Sequence, residues 1–352
     1  MAMKSYKGFD KKMKCRDFQY EIGKEYEMDG EIKVCSRGFH ACESPFDVFD
    51  HYTMIDSRFC EVEQDGNISK EDRGTKICSS KIKIKAELKL ADMINLGVEW
   101  LKEITSPEKI KTSIKDNSSG NGAQIGSSGN GAQIGSSGNY AQIGSSGNGA
   151  QIGSSGNGAQ IGSSGNGAQI GSSGDGAQIG SSGNGAKIGS SGYGAKIGSS
   201  GYGAQIGSSG NYAQIGSSGN YAQIGSSGYG AKIGSSGYGA QIGSSGNGAK
   251  IGSSGNYAQI GSSGNYAQIG SSGDGAKIDS TGEDCVIMCA GINSVAKASK
   301  GSWITLSEWS YSEGKQRYIP ICVKTEFVDG EKIKADTYYS LKGGVFVEWI
   351  ND

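Results

Sequence analysis

Between Ser118 and Ser299 the chain repeats one pattern of apolar and polar positions every nine residues. Gly recurs at that spacing from Gly120 to Gly291, and Ile from Ile125 to Ile287, without an insertion. Within "AQIGS" the residues Ala, Ile and Ser fall on one side and Gln and Gly on the other, the period-two pattern of a short strand. The intervening "SGNG" or "SGNY" supplies Gly and Asn, which tolerate the positive φ that a corner needs. Strand plus corner, repeated, predicts a parallel β-solenoid. Its core is a column of Ile, Ala lets the walls approach, and Gln forms an outward amide ladder. The last two units, "GEDCVIMCA" and "GINSVAKAS", are degenerate, as expected where an array meets a cap.

Two nonapeptides per coil, forming opposite walls, is the more comfortable arrangement, and nine residues per coil would be very tight. Variant units also come in adjacent pairs: "GYGAK" then "GYGAQ" at 192 and 201, "GNYAQ" at 210 and 219, then "GYGAK" and "GYGAQ" at 228 and 237. The choice sets the length, roughly 48 Å for eighteen-residue coils against roughly 96 Å for nine-residue ones. A bundle of polyproline-II helices, suggested by Gly or Ala at every third place, explains the regular Ile less well.

The ends follow other patterns. "SPFDVFDHY" predicts a short helix with Ser44 as N-cap and Pro45 at the first helical position. "SSKIKIKAELKL" alternates as a strand does. "ADMINLGVEWLKEI" places Met93, Ile94, Leu96, Val98, Trp100, Leu101 and Ile104 at helical spacing. At the other end, "SWITLSEW", "RYIPICVKTEFV", "KIKADTYYSL" and "GVFVEWI" read as four strands, with Asp329-Gly330 and Gly343-Gly344 as turns. The fold class is therefore mainly β: an N-terminal α+β head over 1–117, a nonapeptide-repeat solenoid over 118–299 and a small C-terminal β domain over 300–352.

Composition changes this picture little. The 62 glycines among 352 residues would suggest disorder if spread evenly, but they concentrate in the periodic middle. A net charge of -1 offers no basic field for nucleic acid. No apolar run approaches a membrane span, and the polar start "MAMKSYKGFD" does not read as a signal peptide. The eight cysteines are accordingly expected as reduced thiols in the cytoplasm.

Candidate chemistry lies where the repeat varies. From Gly192 onward the corners carry Tyr193, Tyr202, Tyr212, Tyr221, Tyr229, Tyr238, Tyr257 and Tyr266, and Lys replaces Gln at Lys187, Lys196, Lys232, Lys250 and Lys277. Exposed Tyr beside Lys and Asn equips a recognition surface. Rings stacked along the axis merely to shield backbone would give the same letters. The eight Tyr with Lys196, Lys232 and Lys250 are the candidate partner-binding residues. No cofactor or metal is expected. Calcium needs several carboxylates, and the regular corners hold only Asp175 and Asp274. Cys35, His40, Cys42, His51 and Cys60 match no zinc-knuckle spacing, so buried free thiols are expected there. Cys42 with His40 or His51 lacks an identifiable orienting partner, and no catalytic residue is assigned.

"MKSYKGFDKKMKCRDFQYEIGKEYE", "CSRGFHACESPFDVFDHY" and "VDGEKIKADTYYSLKGGVFVEW" resemble a family of phage- and prophage-encoded proteins built from this head, nonapeptide-like repeats and this tail. The resemblance implies a phage origin and a bacterial cytoplasmic setting, and brings no activity with it. Within the head, Tyr6-Lys7-Gly8, Gly38-Phe39-His40, Phe49-Asp50-His51-Tyr52 and Phe59-Cys60-Glu61-Val62 follow the order of motifs that resembles ADP-ribosyltransferases. Glu87 is the nearest substitute for their catalytic glutamate. The leading expectation is a non-enzymatic interaction protein whose partner is a bacterial host protein, such as a defence component, or a small-molecule signal. The alternatives are a structural spacer or self-associating rod, with a homo-oligomer as its consequence, and an ADP-ribosyltransferase-like enzyme with a solenoid arm.

Overall fold

The structure, a computed structural model, describes residues 2–53, 57–70, 75–104, 115–118 and 120–350. The chain divides into two compact units, Met1–Trp100 and Leu101–Asp352.

The first unit contains β1 (Met3–Phe9), β2 (Lys14–Cys15), β3 (Phe18–Gln19), β4 (Glu25–Glu27), β5 (Phe39–Cys42), β6 (Arg58–Lys70) and β7 (Lys76–Leu88), followed by α1 (Leu90–Ile104). The alternating segment is β7 and the amphipathic segment is α1, whose Met93 and Ile94 are fully buried. β7 pairs with β4 and β5 along one edge and with β6 along the other. β6 pairs with β1, and a single Tyr6–Cys42 pairing joins β1 to β5, so the four longer strands close on themselves. Phe9, Tyr20, Phe39, Val62, Ile82 and Ile84 fill the interior. The expected helix is a 3₁₀ turn, Phe46–Asp50, with Pro45 rather than Ser44 at its N-cap. Ser44 is held elsewhere: its backbone N–H donates to Thr75 Oγ1 at 3.2 Å, and Glu43 N–H donates to Thr75 O at 2.8 Å. A polar connection from the amphipathic helix to Asn117 was expected; residues 105–114 lie outside the described residues, and Lys115–Ser118 is a strand.

In the second unit, four-residue strands recur every nine residues from β8 (Lys115–Ser118) to β28 (Val295–Ala298). Each pairs in parallel with the strand eighteen residues away, Gln133 with Gln151, Ile134 with Ile152 and Gly135 with Gly153. Two nonapeptides therefore make one coil. Odd-numbered strands build one wall and even-numbered strands the other. The first strand precedes the recognisable repeat: "KDNS" takes the register of "QIGS" although only its Ser matches. Ile134 to Ile278 are at most 4 % exposed, and each contributes about 1.5–3 kcal/mol by burial. Ala from Ala141 to Ala276 is wholly buried. Ser occupies the third inward position, and the hydroxyls of Ser145, Ser163 and Ser181 find no partner among the described residues.

The first Gly of each unit has a stricter reason. A Cβ on Gly210 would lie 1.9 Å from the carbonyl oxygen of Gly192, one coil earlier, and the same collision recurs from Gly138 to Gly291. The third corner position carries the positive φ, 65° at Gly194 and 68° at Gly248. Asn, at the second position, serves a different purpose from the one its turn propensity suggests. Asn139 Oδ1 accepts from Asn157 N–H at 2.9 Å, and Asn148 Oδ1 from Asn166 N–H at 2.9 Å. The axial ladder thus runs through corner Asn, while on the even wall Oε1 of Gln133, Gln169 and Gln241 accepts no hydrogen bond among the described residues. The strand backbone is already paired, whereas the corner leaves an N–H for a short side chain to reach.

At the C-terminal end, β29 (Trp303–Ser312) continues the odd wall in parallel with Val286–Cys289, and β30 (Arg317–Phe327) folds back antiparallel on it. β31 (Tyr339–Lys342) joins the even wall antiparallel, and β32 (Val345–Glu348) completes a hairpin with it. Gly343 and Gly344 turn that hairpin with φ of 58° and 70°. Asp329-Gly330 instead opens a loop, in which Asp329 Oδ1 accepts from the N–H groups of Glu331 and Ile333. The hairpins are tied together by Glu308, whose carboxylate accepts from Gly343 N–H at 2.8 Å and Gly344 N–H at 2.9 Å. Each wall therefore ends in an antiparallel strand, β30 on the odd wall and β32 on the even wall.

The collision at the first glycine gives a paired test by thermal melting. Gly210→Ala is expected to destabilise the solenoid by about 1–3 kcal/mol, the range for overpacking. Gly216→Ala, where a Cβ meets nothing within 4 Å, is expected to leave stability within about 0.5 kcal/mol, as for a surface change.

Candidate functional site

The eight candidate tyrosines separate onto two edges of the solenoid. Tyr193, Tyr212, Tyr229 and Tyr266 lie at corners leading into the odd wall, and Tyr202, Tyr221, Tyr238 and Tyr257 at corners leading into the even wall. On the first edge the ring centroids of Tyr193 and Tyr212 are 5.4 Å apart, and those of Tyr212 and Tyr229 5.5 Å. On the second, a continuous ladder runs Tyr202, Tyr221, Tyr238, Tyr257 with separations of 5.3, 5.6 and 5.2 Å. The rings stack along the axis and still present an outer face, with exposures from 43 % at Tyr238 to 62 % at Tyr266.

Each ladder alternates between the "YG" and "NY" forms for a steric reason. In the "NY" form the Tyr itself takes the positive-φ position: 56° at Tyr212 and Tyr221, 58° at Tyr257 and 60° at Tyr266. Its ring then lies over the same position one coil later. A Cβ on Gly230 would meet the Tyr212 ring at 2.9 Å, and one on Gly275 the Tyr257 ring at 2.7 Å. An "NY" corner is thus best followed, one coil on, by Gly at the third place. Tyr then moves to the second place, where its N–H is held by the preceding Asn, as Tyr229 N–H is by Asn211 Oδ1 at 2.9 Å.

Lys196, Lys232 and Lys250 are all exposed on the outer face of the odd wall, immediately after the first Tyr edge. Lys232 and Lys250 are register partners in adjacent coils, so two like charges stand directly side by side, an arrangement unfavourable in itself. Lys187 and Lys277 lie on the even wall. Lys277 is engaged by the cap, with its ammonium 4.6 Å from the Tyr338 ring centre. Beside the lysine column runs a shallow strip of outward glycines, Gly126 to Gly270, where an added Cβ would meet open space. The glycines at the same place on the even wall from Gly135 to Gly243 are buried.

The head holds a cavity of about 770 Å³. Lys7 of β1 and the Tyr52 ring reach it together because Gly8 leaves room: a Cβ there would lie 2.3 Å from Tyr52. Lys7 is buried, and its ammonium donates to His40 O at 2.8 Å. Burial pulls the Lys7 ammonium below the ordinary lysine range, and burial likewise lowers His40. Cys42 also lines the cavity, with its thiol pushed up to about 12 by burial, so the thiolate that nucleophilic or metal-binding roles require is disfavoured. His40 Nε2 accepts from Cys35 N–H at 3.0 Å. Among the described residues no three of His, Cys, Asp and Glu converge as metal ligands. Glu87 lies outside the cavity lining, paired with Arg58 through bonds of 2.7 and 2.6 Å that hold its carboxyl below the usual range. From the sequence Lys7 stood only within the Tyr6-Lys7-Gly8 motif, and its contacts with residues far along the chain were not legible.

These features define a capped, two-walled parallel β-solenoid carrying a small cavity-bearing head. Residues 3–96 match a family model described as a domain of unknown function (DUF7666). No curated protein and no solved structure matches the chain. No helix among the described residues is long and apolar enough to cross a membrane.

The steric rule behind the ladders predicts a coupling. Gly203→Ala and Gly230→Ala both place a side chain at positive φ, at about 1–2 kcal/mol each. Only Gly230→Ala also displaces a ring, so it is expected to be the more destabilising. The excess should vanish in the Tyr212→Gly background, measured as a double-mutant cycle by chemical denaturation.

Proposed function

We propose that the chain is a non-enzymatic interaction protein of phage origin that acts in the bacterial cytoplasm, with the Tyr/Lys edge of its solenoid as the recognition surface. The partner is a bacterial host protein, such as a defence component. The observation that carries this reading is energetic. Placing Tyr at positive φ costs about 1–2 kcal/mol, while a stacked aromatic pair returns about 0.5–1.5 kcal/mol. Tyr212 and Tyr221 recover that cost through two ring contacts each and Tyr257 through one, whereas Tyr266, at φ 60° and 62 % exposed, makes no ring contact among the described residues, so folding gains nothing there over the Gly found at other corners. The adjacent Lys232 and Lys250 add repulsion that the wall does not need. An exposed aromatic that costs folding, on the same edge as a column of like-charged cations, is characteristic of a surface kept for binding.

Two ladders on opposite edges also favour a second reading, in which copies of the chain associate through them. The test restores the plain repeat: Tyr193, Tyr202, Tyr229 and Tyr238 to Asn, and Tyr212, Tyr221, Tyr257 and Tyr266 to Gly. The variant is expected to melt near the wild-type temperature, because the completed Asn ladder and the relieved corners offset the lost ring contacts. It is also expected to lose the host protein that the wild type captures from bacterial lysate. Undiminished capture would overturn the surface assignment. Light scattering decides the second reading: a wild type that stays monomeric across concentration excludes self-association.

A further inference from the structure

A second place in the molecule is arranged for chemistry. In the head cavity, the Lys7 ammonium stands 3.5 Å from Cys15 Sγ, and the Tyr52 hydroxyl donates to the same sulfur at 3.0 Å. Lys7 is 5 % exposed, its remaining polar contact is the neutral His40 carbonyl, and its ammonium lies 5.5 and 5.7 Å from the ring centres of Phe9 and Tyr20. No carboxylate stands within ion-pair distance of it among the described residues. A buried cation is strongly destabilising unless an anion accompanies it. Aromatic faces offset part of that penalty, and the group beside Lys7 that can carry negative charge is the Cys15 sulfur. Both donors, the Lys7 ammonium and the Tyr52 hydroxyl, are thus aimed at one sulfur. Cys15 also borders the cavity, whose walls include Phe18, Phe39 and Tyr20.

We propose that Cys15 is a nucleophilic thiol, held by Lys7 and Tyr52, that adds to small α,β-unsaturated carbonyl compounds entering this cavity. The sulfur attacks the β-carbon and forms the S–C bond. The π-electron pair moves onto the α-carbon and carbonyl oxygen, where the Lys7 and Tyr52 donors are within the same small space. The proton given up by the thiol ends on the α-carbon, so nothing leaves and no oxidant is needed. The aromatic walls suit a flat conjugated molecule, and the two donors match the charge that develops on its oxygen.

The other cysteines provide internal controls. Cys35 is exposed and lacks this pair of donors, Cys42 shares the cavity, and Cys60 and Cys78 are wholly buried. The full-length protein is treated with less than one equivalent of N-ethylmaleimide, quenched at intervals and digested, and each cysteine is followed by mass spectrometry. Cys15 is expected to label about tenfold faster than Cys35. Tyr52→Phe and Lys7→Met should each slow Cys15 about tenfold, the equivalent of losing one hydrogen bond to a charged group, with Cys35 unchanged. Labelling of Cys60 or Cys78 in Lys7→Met would report unfolding of the head, and Tyr52→Phe, which removes one oxygen, then decides. Cys15 labelling no faster than Cys35, or at an unchanged rate in Tyr52→Phe, would overturn the proposal.

Discussion

The solenoid depends on one contact, the seating of each unit's first glycine Cα against the carbonyl of the glycine eighteen residues earlier. Nothing larger than hydrogen fits there, so the approach of successive coils is fixed at both edges. With that spacing set, the wall backbones pair in register, the Ile column closes, and the Asn side chain reaches the next corner's N–H. A side chain at that glycine would push coils apart at the edge while the walls still demanded inter-strand spacing. Hydrogen bonding and burial would then be in conflict.

Given that constraint, seven of the nine positions divide into closed and open ones. The first Gly, Ala, Ile and inner Ser face a coil or the core and are closed. The second and third corner positions and the outward Gln are open, and Asn/Tyr, Gly/Tyr and Gln/Lys variation falls on them. Even the open positions are coupled, because a Tyr at the third place lies over the third place of the next coil. The paired variants in the sequence are the two corners of single coils, so both ladders share one stagger.

Much of this was legible from the letters. The Ile period, the paired variants and the degenerate last units pointed to two nonapeptides per coil and to the end of the array. The function of Asn was not, because its turn propensity and its ladder bond call for the same residue. Ser44 was misread for a related reason: a good capping residue was already pinned by Thr75, a partner thirty-one positions away. Three of the four C-terminal strands were recognisable individually; the segment 332–341 is strand only from Tyr339, and the attachment of the two hairpins to separate walls was not legible. Lys7 of β1, Cys15 of the β2–β3 pair and Tyr52 after the 3₁₀ turn come together from three separate elements, which no local pattern announces.

The outward glycine strip of the odd wall bears on what the surface is built to do. Glycine weakens a strand interior, its φ here is not positive, and a Cβ would meet nothing from Gly144 to Gly270. Neither sterics nor backbone conformation therefore calls for glycine at these places, in contrast to the first glycine of each unit. What the strip does supply is relief. It keeps the wall low beside the Gln/Lys column, so that Lys196, Lys232 and Lys250 stand clear of their surroundings next to the Tyr193–Tyr229 ladder. Where the strip stops, at Met288, the outward positions turn apolar and the cap begins. A partner reading this edge would thus meet a column of cations and rings bordered by a flat floor. Its shape as well as its residue types is set by choices that folding leaves free.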